Sequence, residues 1–249
     1  MRVATWNLNT WINRKNKRSN DELWQWAEEN LKADLVIFTE AEIPPPKSIT
    51  ANGWNSVFKK GGIPNRSNWG TIIAGRNLRV ELITHVGRDQ EYALDSFFPG
   101  SFTAADVWSG QDYFATVIGL YLPYRKDENK NFIGHPENDL TAMAADFVAL
   151  TTDRNSSLIV AGDFNTSYDE VPHILKKSVS RKFALSNPFE NVAFNTFKQD
   201  WDEDGLYEVD YLYISKDLKK RLTSKKGGDK DFSQAFEVSD HAPLLIDLA

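Results

Sequence analysis

The strongest constraint on this chain is a series of short segments dense in β-branched and aromatic residues. They are "RVATW" (2–6), "DLVIFT" (34–39), "GTIIAG" (70–75), "ATVIGLYL" (115–122), "SLIVAG" (157–162), "VDYLYI" (209–214) and "APLLIDL" (242–248). Such runs read as strands. "RVELITHV" (79–86) and "GSFTAADVW" (100–108) alternate less cleanly and are also expected to be strands. Several strands follow one another with no helical pattern between them. That favours mixed or antiparallel sheets over a doubly wound parallel one.

Helical patterns fill some of the remaining gaps. "SNDELWQWAEENLK" (19–32) opens on Ser19 with Glu22 three residues later, the pattern of a capping box. Leu23, Trp26, Ala27 and Leu31 recur at helical spacing within it. "PENDLTAMAADFVALTTD" (136–153) predicts a second helix and "DEVPHILKKS" (169–178) a shorter one. "EIPPPKS" (42–48) reads as a rigid proline loop, "RKDENKNFIGHPEND" (125–139) as a polar loop and "KKGGDKD" (225–231) as a mobile turn. None of these separates domains, and no internal repeat occurs, so residues 1–249 are expected to form one α/β domain.

Composition narrows the chemistry. At 249 residues and 41% hydrophobic the chain can bury a substantial core. Cysteine is absent, which excludes disulfides, thiolate metal sites and a cysteine nucleophile. A net charge of −6 gives no long-range attraction to phosphate polymers, although a local basic patch can coexist with it. The start "MRVATWNLN" enters a strand pattern at once, without an apolar leader, and no run of 18 apolar residues exists. The expectation is a soluble, cytoplasmic monomer with no membrane span and no obligate protein partner.

The strand borders carry the candidate chemistry. Asn7 follows the first strand, Glu40 ends the second, and Tyr121 lies near the end of the strand at 115–122. Asp163 and Asn165 follow "LIVAG", Asp210 lies at the start of "VDYLYI", and Asp240 and His241 precede the last strand. Where strands pair antiparallel, the end of one lies beside the start of its neighbour, so these residues can meet on one edge. Each also has an ordinary structural reading: a turn residue, a solvated acid, an Asx turn or a core tyrosine. As a set they form a hard oxygen-donor group beside a histidine. That suits Mg²⁺, Mn²⁺ or Ca²⁺ better than zinc and is well matched to phosphate-ester cleavage.

The pieces "TWNLN", "DLVIFTEAE", "NWGTIIAGR", "VIGLYLPY", "VAGDFN", "VDYLYIS" and "SDHAPLL" resemble the endonuclease/exonuclease/phosphatase superfamily, in its order and over nearly the whole chain. The resemblance implies a deoxyribonuclease I-like fold, a four-layer α/β sandwich of two packed mixed β-sheets flanked by helices. It implies a divalent metal, Mg²⁺ with Mn²⁺ as an alternative. It makes Glu40 the principal metal ligand with Asn7 beside it, and gives Asp240 a supporting place on the metal side. Asp163 would orient or deprotonate the attacking water and Asn165 would hold water and phosphate. His241 would bind the scissile phosphate, oriented by Asp210. "LYLPY" resembles the tyrosine-bearing strand end of exonuclease III-type abasic-site endonucleases, where the tyrosine, here Tyr121, contacts the phosphate.

The sequence departs from those enzymes around Leu8–Thr10, at "TEAE", at Tyr124 and Arg125, and at Leu206–Glu208, so abasic-site recognition does not follow. Nucleic acid is the leading substrate class. Arg14, Lys15, Lys17 and Arg18 form a basic run, and Arg66, Trp69, Arg125 and Lys126 fall near loops expected to flank the site, where arginine and aromatic groups hold phosphates and bases. The alternatives are a phosphatase or phosphodiesterase acting on a small or lipid-linked ester, and an inactive binding module.

Overall fold

The computed structural model describes residues 1–10, 19–59, 68–94, 100–122, 125–126, 132–134, 137–153, 157–166, 185–198 and 206–249. The chain runs β1 (Arg2–Asn7), α1 (Asn20–Leu31), β2 (Leu35–Glu42), α2 (Lys47–Ala51), β3 (Trp54–Phe58), β4 (Trp69–Arg76), β5 (Arg79–Leu82), β6 (His85–Val86) and β7 (Tyr92–Ala93). Next come β8 (Phe102–Ser109), β9 (Asp112–Tyr121), β10 (Arg125–Lys126), β11 (Phe132–Gly134), α3 (Glu137–Asp153), β12 (Leu158–Asp163), β13 (Leu185–Ser186), β14 (Phe197–Lys198) and β15 (Leu206–Tyr207). It finishes with β16 (Asp210–Ser215), α4 (Lys216–Lys219), β17 (Leu222–Gly227), α5 (Gly228–Phe232), a 3-10 turn (Ser233–Glu237) and β18 (Leu244–Leu248).

Two six-stranded sheets dominate. The first has the order β17-β18-β1-β2-β4-β3 and the second β13-β16-β12-β9-β8-β5. Each is mixed. β1 pairs parallel with β2, and β12 parallel with β9, while the other pairs are antiparallel. The two parallel pairs are the ones whose strands are separated by α1 and α3, as parallel pairing requires a crossover. Inward-facing Val3, Leu35, Ile37 and Ile73 of the first sheet form one cluster with Val107, Val117, Ile159 and Leu212 of the second. On the outer face of the first sheet, Leu23, Trp24, Ala27 and Leu31 of α1 pack on Trp6, Phe38 and Trp54. On the outer face of the second, Met143, Phe147 and Leu150 of α3 pack on Ile118, Val160 and Tyr213. The expected four-layer α/β sandwich is the one found.

Local expectations fare unevenly. Ser19 caps α1 with the full reciprocal box. Within α1, Trp24 is fully buried and Trp26 is only partly covered, its ring 4.6 Å from that of Trp6. The segment 79–86 divides into β5 and β6 instead of one strand. Within 125–139 the described residues form β10, β11 and the start of α3. "KKGGDKD" is a correction: Lys225–Gly227 pair with Leu244–Ile246 in the edge strand β17, and Gly228–Phe232 form α5. β17 exposes four consecutive polar residues because an edge strand has one neighbour, and lysine on an edge discourages further pairing. β3 was not anticipated. The helix expected at 169–178 lies outside the described residues.

Candidate active site

One rung of the second sheet assembles half of the site. Asp163 at the end of β12 lies opposite Tyr121 of β9 on one side and Asp210 of β16 on the other. Gly162 makes this close packing possible. Its φ is +142°, and a Cβ there would sit 1.9 Å from the Leu120 carbonyl oxygen. The glycine therefore serves close approach of β12 to β9, and the chain does not turn until after Asp163. Phe164 points inward, fully buried, its ring 5.6 Å from that of Tyr211. Asp163 and Asn165 flank it. Asn165 donates its backbone N–H to Asp163 Oδ1 (2.8 Å) and its amide to Asp163 Oδ2 (3.1 Å) and to the Leu122 carbonyl (3.0 Å).

The first sheet supplies the other half. The register of β2 on β4 slips between Phe38 and Ala41, and Glu40 sits in that bulge with φ of +46°. Bulges re-aim side chains in this way. Thr10 Oγ1 donates to the Glu40 carbonyl (2.6 Å). Asn7, fully buried at the end of β1, donates its amide to Asp163 Oδ2 (2.8 Å) and Glu40 Oε1 (3.3 Å), and accepts from the Asn9 N–H (2.9 Å). Asn7 thus ties a carboxylate of one sheet to a carboxylate of the other. For Asn7 to ligate a cation through Oδ1, its amide would have to turn over. Asn9 donates to Asp240 Oδ2 (2.6 Å).

His241 lies between the two halves, 4% exposed. Its Nδ1 is 2.7 Å from Asp210 Oδ2, and its Nε2 is 3.8 Å from Asp240 Oδ1 and 4.0 Å from Asp163 Oδ2. Ser239 Oγ donates to the Asn7 carbonyl (2.8 Å) and accepts the His241 N–H (3.1 Å). Trp6 Nε1 donates to the His241 carbonyl (2.8 Å). The Phe197 ring packs on the imidazole, centroids 4.9 Å apart.

Burial of so many acids shapes the electrostatics. Burial by itself would push the His241 imidazole down. The carboxylates of Asp210, Asp240 and Asp163 outweigh it and raise it to about 10, so the ring is a cation at neutral pH. The Asp163 carboxyl is held well above the usual range by burial and by the charge of Asp210, with the His241 cation opposing. Glu208, beside the start of β16, is pushed up to about 7 by burial and by Asp210.

Among the described residues, Asp163, Asp210 and His241 are the ligand-type side chains that cluster, their candidate ligand atoms within 4.8 Å of one another. The 2.7 Å contact engages His241 Nδ1 with Asp210 Oδ2, so the trio reads as an oriented imidazole beside a carboxylate. Asp210 Oδ1 and Asp240 Oδ1 are both buried and accept no hydrogen bond among the described residues, and carboxylate oxygens of this kind suit a hard metal.

The structure thus brings together Asn7, Glu40, Tyr121, Asp163, Asn165, Asp210, Asp240 and His241. Trp69 opens β4 and is 5% exposed, with its ring edge-on to Tyr121 at 4.8 Å. It braces the tyrosine and offers no open stacking face. Arg66 and the 14–18 run lie outside the described residues, and of Arg125 and Lys126 only the backbone, in β10, is described. Asn9, Thr196, Phe197 and Ser239 were not singled out. Only Ser239, next to the Asp240–His241 pair, carried a signal by position.

No protein-family model matches the chain, and no curated protein matches it. Among solved structures, the chain is similar over its full length to an AP endonuclease from Archaeoglobus fulgidus (17% identity, 99% of that chain, TM-score 0.68). It is likewise similar to the 3' phosphatase NExo from Neisseria bound to product DNA hairpin (18% identity, 99% of that chain, TM-score 0.64) and to the human Nocturnin catalytic domain with bound sulfate (15% identity, 94% of that chain, TM-score 0.59). At these identities the likeness establishes the deoxyribonuclease I-like fold.

Proposed function

We propose that this protein is a divalent-metal-dependent phosphoester hydrolase, with Mg²⁺ as its metal and nucleic acid as its substrate. The observation that carries the reading is the buried Asp210–His241 pair facing Asp163 across the junction of the two sheets. An imidazolium held by one carboxylate offers its remaining N–H to a phosphate oxygen, while the second carboxylate beside it can hold a nucleophilic water. Phosphate transfer asks for this positioning and charge stabilisation.

In this reading Asp210 accepts the Nδ1 proton and fixes the ring, and Nε2–H donates to a phosphoryl oxygen as charge builds there. Asp163 orients the attacking water and takes its proton. Its raised proton affinity suits a base, and the amides of Asn7 and Asn165 hold its oxygens in place. Tyr121, on the same rung as Asp163, adds a phosphate contact. Glu40 and Asp240 would hold the metal, with Asn7 beside them. A bound Mg²⁺ would neutralise phosphate charge and stabilise the leaving oxygen. The acid-rich interior is consistent with a cation, since these carboxylates otherwise repel one another. The similar solved structures include proteins described as acting on or binding DNA, which favours nucleic acid over a lipid-linked ester.

The test is the purified protein with Mg²⁺ against plasmid, single-stranded DNA, RNA, abasic duplex, a 3'-phosphorylated oligonucleotide, phosphoinositides, sphingomyelin and bis(p-nitrophenyl) phosphate. Cleavage of a nucleic acid, abolished by EDTA and restored by Mg²⁺, is expected. Turnover of lipids alone would replace the substrate assignment, and silence across the panel with Mg²⁺ and Mn²⁺ would sink the enzyme reading.

A further inference from the structure

His241 and Asp210 come from different sheets, and the 2.7 Å contact between them depends on how those sheets are tied together. His241 precedes β18 of the first sheet, and Asp210 opens β16 of the second. Thr196, fully buried, reaches both. Its Oγ1 accepts the backbone N–H groups of Val209 (3.1 Å) and Asp210 (3.0 Å). Its own N–H donates to the Tyr207 carbonyl (2.9 Å), and its carbonyl accepts the Ala242 N–H (2.7 Å). The next residues extend the tie. Phe197 bridges His241 and covers its ring, and the Lys198 N–H donates to the Asp240 carbonyl (2.8 Å).

We infer that Thr196 is a positioning residue that sets the geometry of the Asp210–His241 pair by clamping the backbone of both partners. The hydroxyl is the specific element. One oxygen holds two consecutive N–H groups at the start of β16, fixing where the Asp210 side chain begins. The carbonyl of the same residue fixes the backbone just past His241. A side chain of the same shape without the oxygen takes this partner from the buried Asp210 donor and the half-buried Val209 donor, and unpaired backbone donors are costly enough to move. The segment's hold on Ala242 and Asp240 remains, so β16 shifts relative to His241. The inference rests on the proposed reading of the pair as catalytic, but its geometry is testable without turnover.

The experiment compares Thr196→Val with Thr196→Ser in the full chain. Valine keeps the branched shape and removes the acceptor, whereas serine keeps the acceptor and removes the methyl. In the substrate-free protein, the downfield imidazole N–H proton of the His241–Asp210 hydrogen bond is followed by NMR, assigned by its loss in Asp210→Asn. It is expected to be present in the wild type and T196S and shifted or lost in T196V. On the substrate identified by the panel, T196V should lower kcat about 10- to 100-fold with KM little changed, the scale of a small misplacement of a catalytic group. T196S should restore most of the rate. In an Asp210→Asn background, T196V should add little further loss. An unaltered proton signal and kcat in T196V would overturn the inference, as would a T196S variant no better than T196V, or full additivity with D210N. Should T196V not fold, T196S and its double variant with D210N still decide, because serine must retain both signal and rate. A wild-type protein silent on every substrate but showing the signal would fail the functional reading and leave the clamp standing.

Discussion

Replacing Gly162 by alanine tests the central geometric claim, that β12 approaches β9 too closely for any side chain. The new Cβ would lie 1.9 Å from the Leu120 carbonyl oxygen, 2.9 Å from its carbon and 3.0 Å from its nitrogen. These are backbone atoms of a strand paired on both sides, with Leu120 opposite Phe102 in β8, so no side chain can swing away to make room. Alanine must also adopt φ near +142°, which costs on the order of 1–3 kcal/mol. Forcing an atom into a packed interior adds about 1–3 kcal/mol. Together the loss is about 2–6 kcal/mol, or roughly 4–24 °C in Tm for a chain of this size. Gly110 supplies the control. It has φ of +62° with no atom within 4 Å of its virtual Cβ, so alanine there meets only the left-handed penalty of about 1–2 kcal/mol. Thermal unfolding of G162A, G110A and the parent, followed by circular dichroism, separates the clash from the strain. Because Asp163 is the next residue, activity of folded G162A should also fall, about 100-fold if the carboxylate moves by an ångström. A G162A protein whose Tm lies within about 2 °C of that of G110A would refute the close-approach reasoning.

Further outcomes follow from the site. His241→Ala and Asp163→Ala should each reduce the rate severely with secondary structure retained, and the double variant should lose little more, since residues serving one transition state are not additive; near-normal turnover of either single variant would remove it from the chemistry. Tyr121→Phe should lower kcat about 10-fold, the scale of one lost transition-state hydrogen bond, with near-unchanged Tm; an unchanged kcat would leave Tyr121 a core tyrosine. Both His241 and Asp163 bind protons more tightly folded than unfolded, so in EDTA their contribution to stability is full below the unfolded values of about 6.5 and 4 and is lost as pH rises through the folded values, about 10 for His241. Tm of the metal-free protein should therefore decline from neutral to alkaline pH, more weakly in His241→Gln, and a flat profile in the parent would contradict the shifts. Mg²⁺ should raise Tm in the parent and much less in Glu40→Gln or Asp240→Asn, measured by thermal shift; equal stabilisation of all three would put the metal elsewhere.

The sequence exposed those features whose cause is local or periodic. The buried strands announced themselves because both faces are apolar, as in "LVIF" and "LIVAG", and the strand-end polar residues stood out against them. Pairing rules then placed Asp163, Tyr121 and Asp210 together, and they occupy one rung. What stayed hidden depends on partners distant in sequence. β17 reads as a turn because an edge strand needs only one apolar contact line and is otherwise free to be polar. Glu40 reaches the site through a bulge, and a bulge is a property of the β2–β4 pair, with no mark in "FTEAE" itself. Thr196 has no periodicity to betray it, since its hydrogen bonds reach 11, 13, 14 and 46 residues away.

The same distinction explains why the chemistry is easier to read than the substrate. On the proposed reading the acids and the histidine converge on one phosphate, which confines them to the ends of buried strands, where position is set by pairing and small changes are costly. Recognition of the rest of a substrate has no such confinement. It falls in general to surface segments, where a residue's place is not dictated by the pairing of buried strands. Trp69 shows the boundary between the two. As an aromatic near a loop it suggested a base-stacking surface, but its first place in β4 puts it in register with Glu42 and folds its ring against Tyr121. Pairing claimed it for the catalytic framework. Substitution to alanine should therefore act through Tyr121, lowering kcat and also stability, the latter by about 3–5 kcal/mol as for other buried tryptophans. An effect confined to KM, with Tm unchanged, would return Trp69 to the substrate surface.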